Sequence, residues 1–215
     1  MFNCRFCRYS IPNPTATTPW DRVLVRSPDE IVLPSKGALV SGWFLVVPTA
    51  HVLSSAALPL SKREGFGAMV AATAERVRAI WGNAVLFEHG ASKEGTTFGC
   101  GIDHAHVHVV PLDFDFRAAV FDALGSSSWV GADAPWRRET GEPYLTFSTD
   151  SETWLRATPV APPHQFFRRV IAAAVGTPLD YHYDEHPKEQ NVASSVEVFC
   201  RHWSAVGNLD TALTG

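Results

Sequence analysis

The segment His104-Ala105-His106-Val107-His108-Val109-Val110 sets the tightest limit on what this chain can become. Polar and apolar residues alternate with the period of an extended strand, so the three imidazoles are expected on one face and Ala105, Val107 and Val109 on the other. Val, Ile or Thr would pack better on that face, and a buried ring nitrogen needs a hydrogen-bond partner. A strand that devotes three alternate positions to histidine therefore points to a site, with a sheet built around it.

The flanking sequence supplies that sheet. "RVLVRS" and "EIVLPS" predict two short strands around the turn "SPDE", and the apolar run "GWFLVVP" predicts a central strand. From Ser61 to Trp81, Phe66, Met69, Val70, Val77 and Ile80 recur at helical intervals, and Gly82 with Asn83 supplies a stop. "AVLFE" returns to strand, followed by the loop "HGASKEGTTFGCG", rich in residues whose backbone and hydroxyls can approach a ligand. Further on, "FRAAVFDAL" predicts a short helix, "YLTFS" and "TWLRATPV" two more strands, and "APPHQFFRRVIAAAVGTP" a helix with Pro163 in its first turn and Gly176 and Pro178 at its end. The expectation is an α+β fold, an antiparallel sheet of about five strands with one long helix. Residues 1–112 would form the core, and residues 113–215 a C-terminal α-helical extension packed on it.

With 46% hydrophobic and 19% charged residues in 215, the chain has the composition of a soluble globular protein with a good core. A net charge of -4 argues against broad binding to nucleic acid and leaves small anionic substrates open. No apolar run approaches membrane-spanning length, and "MFNCRFCRYS" lacks the hydrophobic centre of a signal peptide, so a cytoplasmic protein is expected. In that reducing setting cysteines read as metal ligands or free thiols before disulfides.

Cys4 and Cys7 form C-x-x-C, a bite that lets two thiolates grip one zinc ion, but one pair supplies half a site. His51, after "GWFLVVPTA", and His104 can complete it, and a structural zinc held by Cys4, Cys7, His51 and His104 would tie the N-terminal arm to the sheet across its Pro/Thr-rich tether. The other reading of the same spacing is two ordinary thiols near a terminus.

Together, Cys-x-x-Cys, "LVVPTAH" and "HAHVHVVP" resemble the histidine triad (HIT) superfamily of nucleotide hydrolases and transferases, over roughly residues 1–112. The resemblance implies zinc on Cys4, Cys7, His51 and His104. It implies His106 as nucleophile on the α-phosphorus of a nucleotide conjugate or dinucleoside polyphosphate, His108 as donor to a phosphate oxygen, and release of a nucleoside monophosphate through a nucleotidyl-histidine. Branches that transfer the nucleotide commonly carry glutamine at the third position, so His108 favours hydrolysis. The resemblance also implies a homodimer joined sheet to sheet, unless the long extension occludes that surface.

Departures from the family pattern fall around the triad. Gly99-Cys100-Gly101 stands where Gly-Gln-Ser is usual, Trp43 where a histidine is usual, and the acidic residue that holds ribose has no counterpart in "LPSKGALVSG". Ser92, Lys93, Thr96 and Thr97 are candidates to replace the missing donors. The second half looks loosely like CwfJ-type relatives through "PHQFFRR" and "EHPKEQNV", and offers Gln165 and Arg168 for phosphate. Arg168 and Arg169 are adjacent, so at most one can face a given pocket. The alternative function is a non-catalytic nucleotide or RNA-end binding module. A metal held jointly by all three triad histidines would be strained, because alternate strand positions lie about 6–7 Å apart.

Overall fold

The computed structural model describes residues 4–10, 16–96, 101–138 and 141–205, and every statement below refers to these. Eight strands run in chain order: β1 Val25–Arg26, β2 Glu30–Pro34, β3 Phe44–Pro48, β4 Val85–Gly90, β5 Val107–Val110, β6 Val130–Ala132, β7 Tyr144–Ser148 and β8 Trp154–Ala157. They form one antiparallel sheet in the order β1-β2-β3-β5-β4-β7-β8-β6, which puts the histidine strand inside the sheet, between β3 and β4.

The expectation of about five strands is too low. Strands β6, β7 and β8 come from the second half of the chain and pair onward from β4, so residues 113–215 extend the sheet as well as adding helices. The physical reason is that β4 is buried along its whole length and would otherwise present an open row of amides and carbonyls.

The long helix α1, Leu60–Trp81, starts one residue from the expected position and ends at Gly82, whose φ of 92° is left-handed and whose N–H caps the Arg78 carbonyl. Its Phe66, Met69, Val70, Ala74 and Val77 pack with Val32, Phe44, Val46, Leu86, Val107 and Val109 on one face of the sheet. The opposite face carries Leu33, Trp43, Leu45, Phe87 and Phe147. Helices α2, Phe116–Leu124, and α3, Phe166–Ala174, cover it with Phe116, Val120, Phe167 and Ile171. Helix α3 begins three residues after Pro163, because Gln165 adopts a left-handed conformation (φ 58°) that cannot lie inside a helix.

A fourth helix, α4, Glu189–Ala205, was not legible in "EQNVASSVEVFCRHWSA", whose Asn, Ser and Val residues are indifferent helix formers. Its buried residues Val192, Ser195, Val196 and Phe199 face the fold, and the Ser195 hydroxyl accepts from Gly42 N–H at 2.9 Å. No helix among the described residues is long and apolar enough to cross a membrane.

Candidate active site and metal centre

Only part of the triad is strand. Strand β5 begins at Val107, and His104 sits in a bend whose neighbour Ala105 donates its N–H to the Val52 carbonyl at 2.6 Å. The bend turns His104 away toward the N-terminal arm while His106 and His108 stay together, ring centroids 4.9 Å apart. The alternation still holds for the rest, since Val107 and Val109 pack against α1 while His106 and His108 lie on the face that carries Phe87 and Trp43.

The arm is anchored before it reaches His104. Phe6 and Tyr9 are buried, and buried Asp21 accepts hydrogen bonds from Arg8, from the Tyr9 hydroxyl at 2.7 Å and from Arg5 at 3.4 Å. Phe6 sets its ring edge-on against both His104 and His106, at 5.7 and 5.2 Å.

This docking brings Cys4, Cys7, His51 and His104 together, with their ligand atoms all within 4.8 Å of one another. Cys4 Sγ lies 3.4 Å and Cys7 Sγ 3.8 Å from His104 Nδ1, and Cys7 Sγ lies 3.2 Å from His51 Nδ1. A tetrahedron with metal–ligand bonds of about 2.0–2.3 Å has edges of roughly 3.3–3.8 Å, so these residues can hold a metal ion with little movement. The surrounding contacts support it. His104 Nε2–H donates to the Pro48 carbonyl at 2.8 Å, which directs the Nδ1 lone pair at the cluster, and the Glu94 carboxylate lies 3.7 Å from His51 Nε2. Burial and the neighbouring Cys4 thiol push the Cys7 thiol up to about 11, as expected when two sulfurs face each other.

His106 is buried, and its Nδ1–H donates to the His104 carbonyl at 2.7 Å, so its basic lone pair is on Nε2. Burial is the main reason its pKa is lowered to about 4, which keeps the ring neutral at physiological pH. His108 stacks on Phe87 at 4.4 Å, and its Nδ1 accepts from the Trp43 indole N–H at 2.9 Å. The proton of neutral His108 is therefore on Nε2, a buried donor with no hydrogen-bond partner among the described residues. The sequence marked Trp43 only as a missing histidine; its signal was an indole N–H immediately before β3, which needs an acceptor once buried.

His106 and His108 line a narrow cleft with Arg5, Lys36, Arg168 and Tyr183. Of the two adjacent arginines, Arg168 turns inward. It donates to the carbonyls of Tyr181 at 2.8 Å and Gly37 at 2.5 Å and lies over the Trp43 ring, whereas Arg169 is exposed and stacks on Tyr181 at 3.7 Å. Gln165 is fully enclosed, and its Oε1 also lacks a partner among the described residues. His89, on the site face of β4, was not singled out in the sequence; its ring lies 6.3 Å from His108, and burial first and His106 second lower its pKa to about 3. Its signal was its place two residues after Phe87 in a strand.

The loop candidates fall elsewhere. Ser92 and Lys93 are exposed and Thr96 half-buried with its hydroxyl on the Lys93 carbonyl at 3.2 Å, and none of the three lines the narrow cleft. Thr97, with Gly99 and Cys100, lies outside the described residues. Trp136, Trp154 and Phe166 are buried in the hydrophobic core.

No family model matches the chain, and no curated protein matches it. Among solved structures, a member of the HIT family from Bacillus subtilis shares 18% identity over 51% of this chain and 73% of its own, with a TM-score of 0.41. A HIT family hydrolase from Clostridium thermocellum shares 16% identity over 54% of this chain and 96% of its own, TM-score 0.38. A uridylyltransferase shares 11% identity over 86% of this chain and 93% of its own, TM-score 0.42. None of these is a CwfJ-type protein, and likenesses this partial leave the site's own geometry to carry the functional reading.

Proposed function

We propose that the chain is a HIT-type nucleotide hydrolase in which His106 attacks the α-phosphorus of a nucleotide conjugate or dinucleoside polyphosphate. The observation that carries this reading is the pairing of opposite ring states on adjacent site positions. His106 carries its proton on Nδ1 and its basic lone pair on Nε2, while His108 has its Nδ1 engaged and its Nε2–H without an acceptor among the described residues.

Each state suits one task. Neutral imidazole is a good nucleophile, and attack by Nε2 forms a nitrogen–phosphorus bond as the bond to the leaving group breaks. Water then cleaves the nucleotidyl-histidine and releases a nucleoside monophosphate. His108 Nε2–H donates to a non-bridging phosphate oxygen, and the Arg168 guanidinium adds positive charge, so stabilisation of the transferring group is electrostatic and preorganised. The ion suited to two cysteines and two histidines is zinc. Cys4, Cys7, His51 and His104 would hold it with four protein ligands, a structural role that would fix Phe6 and Arg5 beside the triad.

The test is intact-protein mass spectrometry after rapid acid-free quenching, on native protein and on His106→Ala, with a panel of adenylyl, guanylyl, cytidylyl and uridylyl conjugates. A nucleotide-sized mass increase on native protein alone is expected. No adduct together with no monophosphate release across the panel would reject the enzyme in favour of a binding module.

A further inference from the structure

We propose that Arg5 binds substrate: its guanidinium grips a phosphate of the leaving group, and that group lies in the wide cleft beside the metal cluster. This rests on the function just proposed. The wide cleft, about 320 Å³, is lined by Cys4, Arg5, His51, Glu94, Ile102 and Asp103 among others. Arg5 and Ile102 line this cleft and also the narrow one that holds His106 and His108, so Arg5 stands where a chain of phosphates would pass from one to the other.

The way Arg5 is held leaves it able to turn to an anion. Its contacts to Asp21 Oδ1 and to the Trp20 carbonyl are both 3.4 Å, near the limit of a hydrogen bond. The same Asp21 oxygen is taken more closely by Arg8 and by the Tyr9 hydroxyl at 2.7 Å, and Thr17 reaches the second oxygen at 3.3 Å. Asp21 thus stays paired if Arg5 leaves. The other cations of the narrow cleft are better engaged, Lys36 with Asp184 and Arg168 with two carbonyls at 2.5 and 2.8 Å.

Among the described residues lining the narrow cleft there is no carboxylate. In the wide cleft Glu94 lies beside His51 at 3.7 Å and Asp103 accepts from Gly95 N–H at 2.9 Å, and Arg5 is the one arginine or lysine among its described lining residues. Because Arg5 is flanked in sequence by Cys4 and Cys7, closing the metal cluster fixes the backbone that presents it. The metal centre then builds one wall of the phosphate path.

The experiment compares native protein with Arg5→Gln in two measurements. The first is kcat/KM for a nucleoside 5′-triphosphate, whose leaving group is pyrophosphate, and for the p-nitrophenyl ester of the same nucleoside monophosphate, whose leaving group carries no phosphate. The ratio of the two is expected to fall about tenfold or more in the variant, the worth of one charge-assisted hydrogen bond. An unchanged ratio, with both substrates turned over, would overturn the role of Arg5 and leave the proposed function standing.

The second measurement is calorimetric titration with inorganic tripolyphosphate at low salt, which needs no turnover. Affinity is expected to weaken about tenfold or more in Arg5→Gln. Equal affinity, or no binding by native protein, would overturn the proposal even if the protein proved inactive on every nucleotide. Should Arg5→Gln lose metal or unfold, Arg5→Lys decides: tripolyphosphate affinity within about threefold of native supports a charge role, and a loss as large as that of Arg5→Gln at full metal content rejects it.

Discussion

The Trp43 indole N–H donates to His108 Nδ1 at 2.9 Å, and that bond fixes which nitrogen of His108 carries the proton. The indole is a donor with no acceptor capacity, so the neutral His108 ring is held in the Nε2–H form. Trp43→Phe keeps an aromatic ring on Phe87 and Arg168 but removes the N–H. The single-turnover rate of nucleotide release is expected to fall about tenfold, with nitrogen NMR showing a mixed tautomer at His108. An unchanged rate with a mixed tautomer would show that the protonation state of His108 is irrelevant to the reaction.

The metal cluster should be necessary for the arm and not for the sheet. Cys4→Ser with Cys7→Ser is expected to abolish metal uptake by elemental analysis and to lower Tm by several degrees, because metal binding free energy is also folding free energy. Circular dichroism should keep the native strand and helix content, since the sheet closes on its own two cores. Native metal content in the double variant would remove these cysteines from the site.

Acid should destabilise the fold through its buried histidines. Burial, chiefly, holds His89 at about 3 and His108 well below the ordinary 6.5, so both stay neutral in the folded state while the unfolded chain takes up protons as pH falls below 6.5. Their contribution to stability is therefore full above about pH 6.5 and declines as pH falls toward 3, by about 2 kcal/mol at pH 5 for His89, with His108 acting in the same direction. Urea unfolding at pH 7 and pH 5 measures the slope. His89→Asn should make it shallower, and an equal slope in that variant would show that His89 contributes nothing to it.

Arg168 is fully buried, and its two carbonyl acceptors belong to different parts of the chain, Gly37 after β2 and Tyr181 beyond α3. Arg168→Met would keep most of the volume and leave both carbonyls short of a donor, at a cost of about 2–4 kcal/mol by denaturant unfolding. Hydrogen exchange should then quicken first around residues 179–188, the segment that packs Tyr183 against Gly37 and Gly101. Loss spread evenly over the sheet would argue that Arg168 supports the core and not that segment.

The alternation at 104–110, the helical spacing of α1 and the apolar run of β3 carried the central strands, the long helix and the two-faced placement of the histidines without help from the rest of the fold. These are local patterns, in which side-chain direction follows from backbone period alone. The cysteine pair and the two distant histidines named the metal cluster because ligand chemistry restricts which residue types can meet at one ion. What only the tertiary structure decided depends on neighbours remote in sequence. The three extra strands exist because β4 needs an edge partner, and Trp43 acquires its role only when β3 pairs with β5. Arg168 turns inward because carbonyls more than ten residues away, at Tyr181 and Gly37, are presented to it. His89 joins the site only because β4 lies beside β5. The sequence thus singled out the histidines, but hydrogen bonds across the fold set which nitrogen of each ring carries the proton, since a histidine's tautomer follows from the partner the fold places against it.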